Sequence, residues 1–477
     1  MISEYVREQK RYTQQEISRI LHCNGSDAVS VIRKLKEFGV LKVVKATNDQ
    51  KDMSDLAEED IEVTDVEAGE NEYLYVFTFV GVITVAGRVL KCYPKYLLNN
   101  LEPLEELKQI LKVLEKYNSR QQIIRMFNDS SESSSFNLLA VLLFLLEDYY
   151  KNGSYSNTRD VIESNGAGEI LWDKTINETF TWLSEDRPYY TDFQTIKRTN
   201  DDYDYFKRLH ECILTIASKE LSDAELLDLF EITPVDLSEE LLDDFGDKDY
   251  ILYRIENELG VQFNTRKQLV LKTLYAYVAH SGNLYETEAL SMIGTNSFNL
   301  VWENVCAEIL DNKLDTPVGS LQLPVPLKEG YQKKDRLIDL IEKPYWSATG
   351  HMADDTLIPD VISIYGNEFI IFDAKYYNAA LDEGKKPKAQ PGIESVTKQY
   401  LYQLAYQQFI TDHGFVAVKN CFLMPTSGEK IENKGFVSMK MLAGVGLQNI
   451  EVRLLPAHNA FEYYIYGRKL DLSSLML

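Results

Sequence analysis

Residues 357–377, LIPDVISIYGNEFIIFDAKYY, constrain the fold of this chain more than any other stretch. VISIY and FIIF are runs of β-branched and aromatic residues bounded by turn residues, a pattern that favours strands. Gly366-Asn367 between them suits a two-residue hairpin loop. That loop sets the register: Tyr365 faces Glu368, and Asp360 faces Asp373. Directly opposed residues have Cβ atoms about 4.5–5.5 Å apart, so the two acids become neighbours. Lys375 is two residues past Asp373 and therefore shares its face.

Two adjacent carboxylates repel each other unless something neutralises them. A divalent cation does so. Mg²⁺ (with Mn²⁺ as an alternative) takes carboxylate oxygens at about 2.0–2.1 Å and keeps several waters. Asp360 and Asp373 can share one ion, and the carbonyl of Ala374 can supply a third oxygen. Lys375 beside it can orient or deprotonate a water, or steady the charge of a phosphorane. Together these groups are what phosphodiester hydrolysis needs. Acids at strand ends are also common without any metal. The chemical reading is favoured by the register, by an off-stripe acid on the preceding helix (Glu303) and by a Gln- and Tyr-rich helix that follows.

A chain of 477 residues is too long for one ordinary core, which predicts two to four domains. The longest apolar block, FNLLAVLLFLL at 136–146, is about half a membrane span and reads as a buried helix. The N-terminal MISEYVREQK is charged and lacks a signal-peptide core. The five cysteines are scattered and form no CxxC pair, which argues against a zinc site or a disulfide framework. A cytoplasmic, reduced protein with no membrane association follows. The net charge of −24 disfavours a protein that grips nucleic acid over a wide surface alone. Residues 1–46 run against that balance, with nine Lys/Arg and five Asp/Glu, whereas residues 48–72 hold eleven acids and one lysine.

The spacing predicts three regions. Residues 1–98 form a winged-helix-like N-terminal domain. Thr13 and Glu16 make a capping box for its first helix. Its second helix opens near Ser26, turns Val29, Ile32, Leu35 and Phe38 inward, and presents Ser30, Arg33, Lys34 and Lys36. Arg33, Lys34 and Lys36 are candidate DNA contacts; the same domain could equally dock a protein. It carries the acidic insert 48–72 and a hairpin at 73–98, with Lys91 and Lys95 as exposed candidates. Residues 99–290 read as a mainly helical middle region, with helices near 101–117, 136–151, 203–219 and 266–280. Its glycine-rich NGAGEILWDKTI lacks the GK[ST] ending of a phosphate-binding loop. In residues 291–477 a helix buries Phe298, Val301, Val305 and Ile309, with Glu303 off that stripe, ahead of the hairpin. A loop with Lys385, Lys386 and Lys388, further candidate DNA contacts, follows the hairpin. Next comes the helix VTKQYLYQLAYQQFI, and then two strands, VKNCFLMPT and AFEYYIYG.

IPD…FDAK with an upstream helical glutamate and a downstream YQLAY helix is similar to the PD-(D/E)xK nuclease superfamily. FVGVITVAGRVLKCYPKYL and FNLVWENVCAEIL further resemble the LlaJI family of restriction endonuclease subunits, relatives of the McrC nuclease subunit. The resemblance implies an α/β fold, multidomain α+β overall, whose C-terminal nuclease core is a central mixed sheet flanked by helices. It implies metal binding by Asp360, Asp373 and Glu303, a catalytic Lys375, and Gln403 and Tyr406 lining the active site. It also implies DNA as substrate and an AAA+ GTPase partner of the McrB type, which would carry most of the DNA recognition and the nucleotide site, since no Walker A occurs in this sequence. Two other functions stay open: a non-catalytic activator of such a GTPase, and a DNA-binding regulator built on the N-terminal domain.

Overall fold

The structure is a computed structural model. It describes residues 2–23, 26–45, 73–118, 137–185, 187–200, 204–280, 290–381, 384–444 and 446–477. The acidic insert expected at 48–72 lies outside these residues. The chain divides into two compact units: residues 1–135 with 288–477, and residues 136–287.

In the first unit the N-terminal segment builds two sheets. A four-stranded sheet runs in the order Ile2–Arg7, Arg88–Tyr93, Val80–Val85, Ser291–Thr295. Its first pair is parallel and the other two are antiparallel. The last strand comes from the far side of the middle region, so the expected 1–98 domain is completed by chain from beyond residue 290. The junction is close: Gly81 and Gly294 face each other across it. A Cβ on either would lie 2.1 Å from a carbonyl oxygen of the opposite strand. A three-stranded sheet follows the order Arg11–Tyr12, Tyr73–Phe77, Leu41–Lys45.

Two helices, Gln14–Ile20 and Ser26–Glu37, accompany the smaller sheet. The capping box forms, with the Thr13 hydroxyl accepting from the Glu16 N–H at 3.2 Å and Glu16 accepting from the Thr13 N–H at 2.7 Å. The second helix is rotated from the expected stripe. Ala28, Val31, Ile32 and Leu35 are buried, while Val29 is 40% exposed. The stripe is set by what it packs on, namely Ile17, Leu21, Leu41 and Val43.

The C-terminal part is a five-stranded mixed sheet in the order Val361–Tyr365, Glu368–Ala374, Ala417–Thr426, Ile450–Pro456, Glu432–Val437. The outer pairs are antiparallel and the inner pairs parallel. The helix Ile393–Asp412 lays Tyr402, Tyr406, Phe409 and Ile410 on Ile362, Phe369 and Ile371. The helix Phe298–Ile309 buries Phe298, Val301, Trp302, Val305, Cys306 and Ile309, and its Trp302 indole donates to the Leu423 carbonyl at 3.3 Å. The closing segment AFEYYIYG is not the strand expected. Ala457–Ile465 is a helix that begins directly after Pro456. Ala457, Ala460, Phe461 and Tyr464 repeat at helical spacing and are buried, and that period wins over the β propensity of the tyrosines.

The helix Leu104–Asn118 belongs with this unit rather than with the middle region. Its Gln109 donates to the His458 carbonyl at 2.8 Å, and its Lys116 pairs with Glu308.

The second unit holds the helices Leu138–Asn152, Tyr205–Asp223, Lys248–Val261 and Thr265–Ala279. The apolar block is indeed a buried helix, capped by Asn137, which accepts from the Ala140 N–H at 3.2 Å. The unit is not only helical. Thr158–Ser164, Gln194–Asn200 and Glu169–Ile170 form one small sheet, and Thr181–Ser184 with Arg187–Tyr190 a second. Thr181–Ser184 and Arg187–Tyr190 are short and largely exposed, so they lack the alternating apolar pattern that marks a half-buried strand in sequence. Among the described residues, no helix is long and apolar enough to cross a membrane.

Candidate active site

The hairpin forms in the expected register. Val361 pairs with Phe372 and Tyr365 with Glu368. Gly366 takes φ +58° at the turn, in the left-handed region glycine allows. Asp360 precedes the first strand and Asp373 sits near the end of the second, at the edge of the sheet's parallel core.

The two carboxyl groups meet. Asp360 Oδ2 accepts from the Ala374 N–H at 2.7 Å. Burial, the Asp373 carboxylate with which it shares a hydrogen bond, and the Glu303 charge hold the Asp360 carboxyl well above the ordinary carboxylate range; the Ala374 N–H opposes this. A carboxyl raised in this way favours its protonated form over the ionised one.

Lys375 Nζ is 3.1 Å from Asp373 Oδ2. Burial pulls the lysine down, but the Asp373 and Asp360 charges outweigh it and leave the ammonium above its usual value. Asp373 is 3% exposed, so this ion pair is sheltered from water on the acid's side.

Glu303, on the helix Phe298–Ile309, is near enough for its charge to raise Asp360, Tyr402 and Cys306. Among the described residues, no group of three or more His, Cys, Asp or Glu is arranged to hold a metal ion. Asp360 and Asp373 do offer hard carboxylate oxygens of the kind Mg²⁺ takes.

Gln403 and Tyr406 are buried, but their polar atoms are engaged elsewhere. Gln403 Oε1 accepts from Asn420 Nδ2 at 2.7 Å and from the Gln448 N–H at 3.0 Å. The Tyr406 hydroxyl donates to the Leu337 carbonyl at 3.2 Å, and its ring packs on Phe369. On the same helix it is Tyr402 whose phenol feels Asp373, Asp360 and Glu303.

Asn312 is a positioning residue that sequence reasoning missed. Its side chain donates to the Asp360 carbonyl at 3.1 Å and accepts from the Ile362 N–H at 3.0 Å, fixing the backbone on both sides of the strand start. No motif marks an asparagine in this role.

Lys385, Lys386 and Lys388 are exposed, in a loop pinched by backbone hydrogen bonds between Ala380 and Lys388. Arg33 is exposed on the second helix, while Lys34 and Lys36 are half-buried. Lys91 and Lys95 are not surface residues: they are 3% and 2% exposed. Lys91 lies over the Tyr5 ring and Lys95 over the rings of Tyr376 and Tyr377, contacts that the alternation did not foresee.

The sequence model of the LlaJI restriction endonuclease family matches residues 79–451, which contain the hairpin and the Glu303 helix. This chain belongs to the LlaJI restriction endonuclease family. A component of the type II restriction enzyme BsuMI, YdjA of Bacillus subtilis strain 168, is 28% identical over 384 residues, spanning 76% of this chain and 75% of that protein. Two solved assemblies of Thermococcus gammatolerans were also matched. A chain of the McrB AAA+ hexamers with bound McrC aligns over 98% of this chain and 99% of its own length, at TM-score 0.38 and 13% identity. A chain of the McrBC complex aligns over 63% and 84%, at TM-score 0.25 and 12% identity.

Proposed function

We propose that this LlaJI family member is the Mg²⁺-dependent DNA endonuclease subunit of a cytoplasmic restriction system that acts against foreign DNA. The observation that carries the reading is the contact of Asp360 with Asp373 and of Asp373 with Lys375 at one edge of a mixed sheet, within a restriction endonuclease family. We read that sheet, with its flanking helices, as a PD-(D/E)xK core. The two helices and small sheet near the N-terminus we read as winged-helix-like.

Asp360, Asp373 and the Ala374 carbonyl would hold the cation, with Glu303 close enough to add charge. When bound, Mg²⁺ supplies Lewis-acid polarisation of a phosphate oxygen and of a water. A cation between Asp360 and Asp373 would relieve the repulsion that raises the Asp360 carboxyl. Lys375 is held as an ammonium by its acidic neighbours, so it acts as a donor: it orients the attacking water and steadies the charge growing on the phosphorane. Gln403 and Tyr406 shape the core behind the site.

A partner of the McrB-like AAA+ GTPase type is consistent with the acidity of the chain, since that partner would carry most of the grip on DNA. The exposed lysines 385, 386 and 388, with Arg33, offer local phosphate contacts.

Asp373→Ala tests the reading. Cleavage of duplex DNA in Mg²⁺ should fall by at least about a hundredfold, while pull-down of the GTPase partner is unchanged. Cleavage at the wild-type rate would remove the proposal and leave the activator role.

A further inference from the structure

The residue after Lys375 leaves the sheet and enters the N-terminal module. Tyr376 is 5% exposed, and its hydroxyl donates to the Glu8 carboxylate. Glu8 Oε2 and the Tyr376 hydroxyl oxygen both lie 3.3 Å from the Lys95 N–H. The Lys95 ammonium donates to Gln9 Oε1 at 2.9 Å and lies 4.4 Å from the centroid of the Tyr376 ring. Phe298, on the helix that carries Glu303, packs against the same ring at 5.3 Å, and Tyr96 meets it edge-on at 6.4 Å.

Glu8, Gln9 and Lys95 are each less than 5% exposed. Gln9 holds φ +55°, a conformation that costs a non-glycine residue energy unless its surroundings fix it. A buried carboxylate and a buried ammonium are expensive to desolvate, and apolar residues of similar volume would commonly stabilise such a site as well or better. What the polar set provides is a fixed address. It locks one phenol at one point, and that phenol is covalently next to Lys375. On the other side of Lys375, its own N–H is held by the Leu423 carbonyl at 2.9 Å. Lys375 is thus strung between the sheet and the N-terminal module.

We propose that Glu8 is a positioning residue for the reaction: it anchors Tyr376 and thereby sets Lys375 against Asp373, so that the N-terminal module completes the active centre. This rests on the nuclease reading above. Tyr376 and Glu8 do not touch the reacting atoms; they act through the backbone of Lys375.

Steady-state cleavage of duplex DNA by the full chain with its GTPase partner, in Mg²⁺, tests this with Tyr376→Phe, Glu8→Ala, Glu8→Gln and the Tyr376→Phe/Glu8→Ala double variant. Tyr376→Phe keeps the ring and removes only the anchoring hydroxyl. Its kcat should fall on the order of ten- to a hundredfold, the scale of small misplacements at a reacting centre, with KM for DNA within about twofold of wild type. Glu8→Gln, which retains an acceptor, should recover most of the loss seen in Glu8→Ala. The double variant should be no slower than the slower single variant, because both break one linkage. Losses that multiply, or a raised KM with kcat unchanged, would overturn the proposal. If Glu8→Ala does not fold, Tyr376→Phe and Glu8→Gln decide alone: wild-type kcat in Tyr376→Phe would overturn it. A wild-type complex that cuts while every variant matches it contradicts the anchor only. A wild-type complex that leaves DNA uncut contradicts the nuclease reading and the anchor with it.

Discussion

Asp360 carries a consequence for stability that can be measured without any substrate. Its folded-state carboxyl is held above its unfolded value by burial and by Asp373. Such a group favours the fold fully below the unfolded carboxylate range, and that contribution is lost as pH rises toward the folded value. Without metal, wild type should therefore weaken from about pH 4 upward through neutrality. Asp360→Asn keeps an acceptor for the Ala374 N–H and cannot ionise. Metal-free, it should be more stable than wild type at pH 7–8 by on the order of 1–3 kcal/mol, an advantage that shrinks toward pH 4. Thermal unfolding at two pH values checks this, and an unchanged or lower midpoint at pH 8 would contradict it. At this scale the acids and Lys375 were legible in sequence because a strict two-residue period and a two-residue turn fix which side chains meet. Asn312, Tyr402 and the burial of Lys95 were not legible, because each depends on a segment distant in the chain.

Among the elements, long helices with an apolar period and the hairpin could be read from the residues, and so could the strand Ala417–Thr426. The small sheets between residues 158 and 200 could not, since no apolar period marks them in the sequence. The helix Ala457–Ile465 shows the opposite failure: a tyrosine-rich segment suggested β structure, yet its buried positions follow the helical period. Within the second unit, the helix Tyr205–Asp223 buries His210, whose Nδ1 accepts from the Tyr155 N–H at 2.9 Å. Burial pulls this imidazole down to about 4; Asp148 raises it and Arg266 lowers it. A depressed value means the fold is fully supported above the unfolded histidine value of about 6.5 and loses support as pH falls toward 4. The second unit should lose about 3 kcal/mol across that window. His210→Gln should flatten that dependence. Hydrogen exchange of residues 205–223 at pH 7 and pH 5 reads it, and equal pH dependence in both proteins would contradict the assignment.

For the whole molecule, with its charge of −24, the proposed function leaves the exposed lysines 385, 386 and 388 as local phosphate contacts. Replacing Lys385, Lys386 and Lys388 with alanine should lower the slope of log affinity against log salt by up to about three, close to one for each lysine that neutralises a phosphate. An unchanged slope would move DNA binding to another surface. The domain plan was only partly legible. Strand Ser291–Thr295 completes the N-terminal sheet, and pairing across two hundred residues leaves no local mark beyond the two glycines at the junction. On the proposed function, a divalent cation bound by Asp360 and Asp373 displaces the proton that the raised Asp360 carboxyl holds. Calorimetric titration of the full chain with Mn²⁺ at pH 7, in two buffers of different ionisation heat, measures this directly. Asp373→Asn should lose the site, and wild-type binding should release protons and tighten as pH rises. Equal binding by wild type and Asp373→Asn, or binding with no proton released, would contradict it.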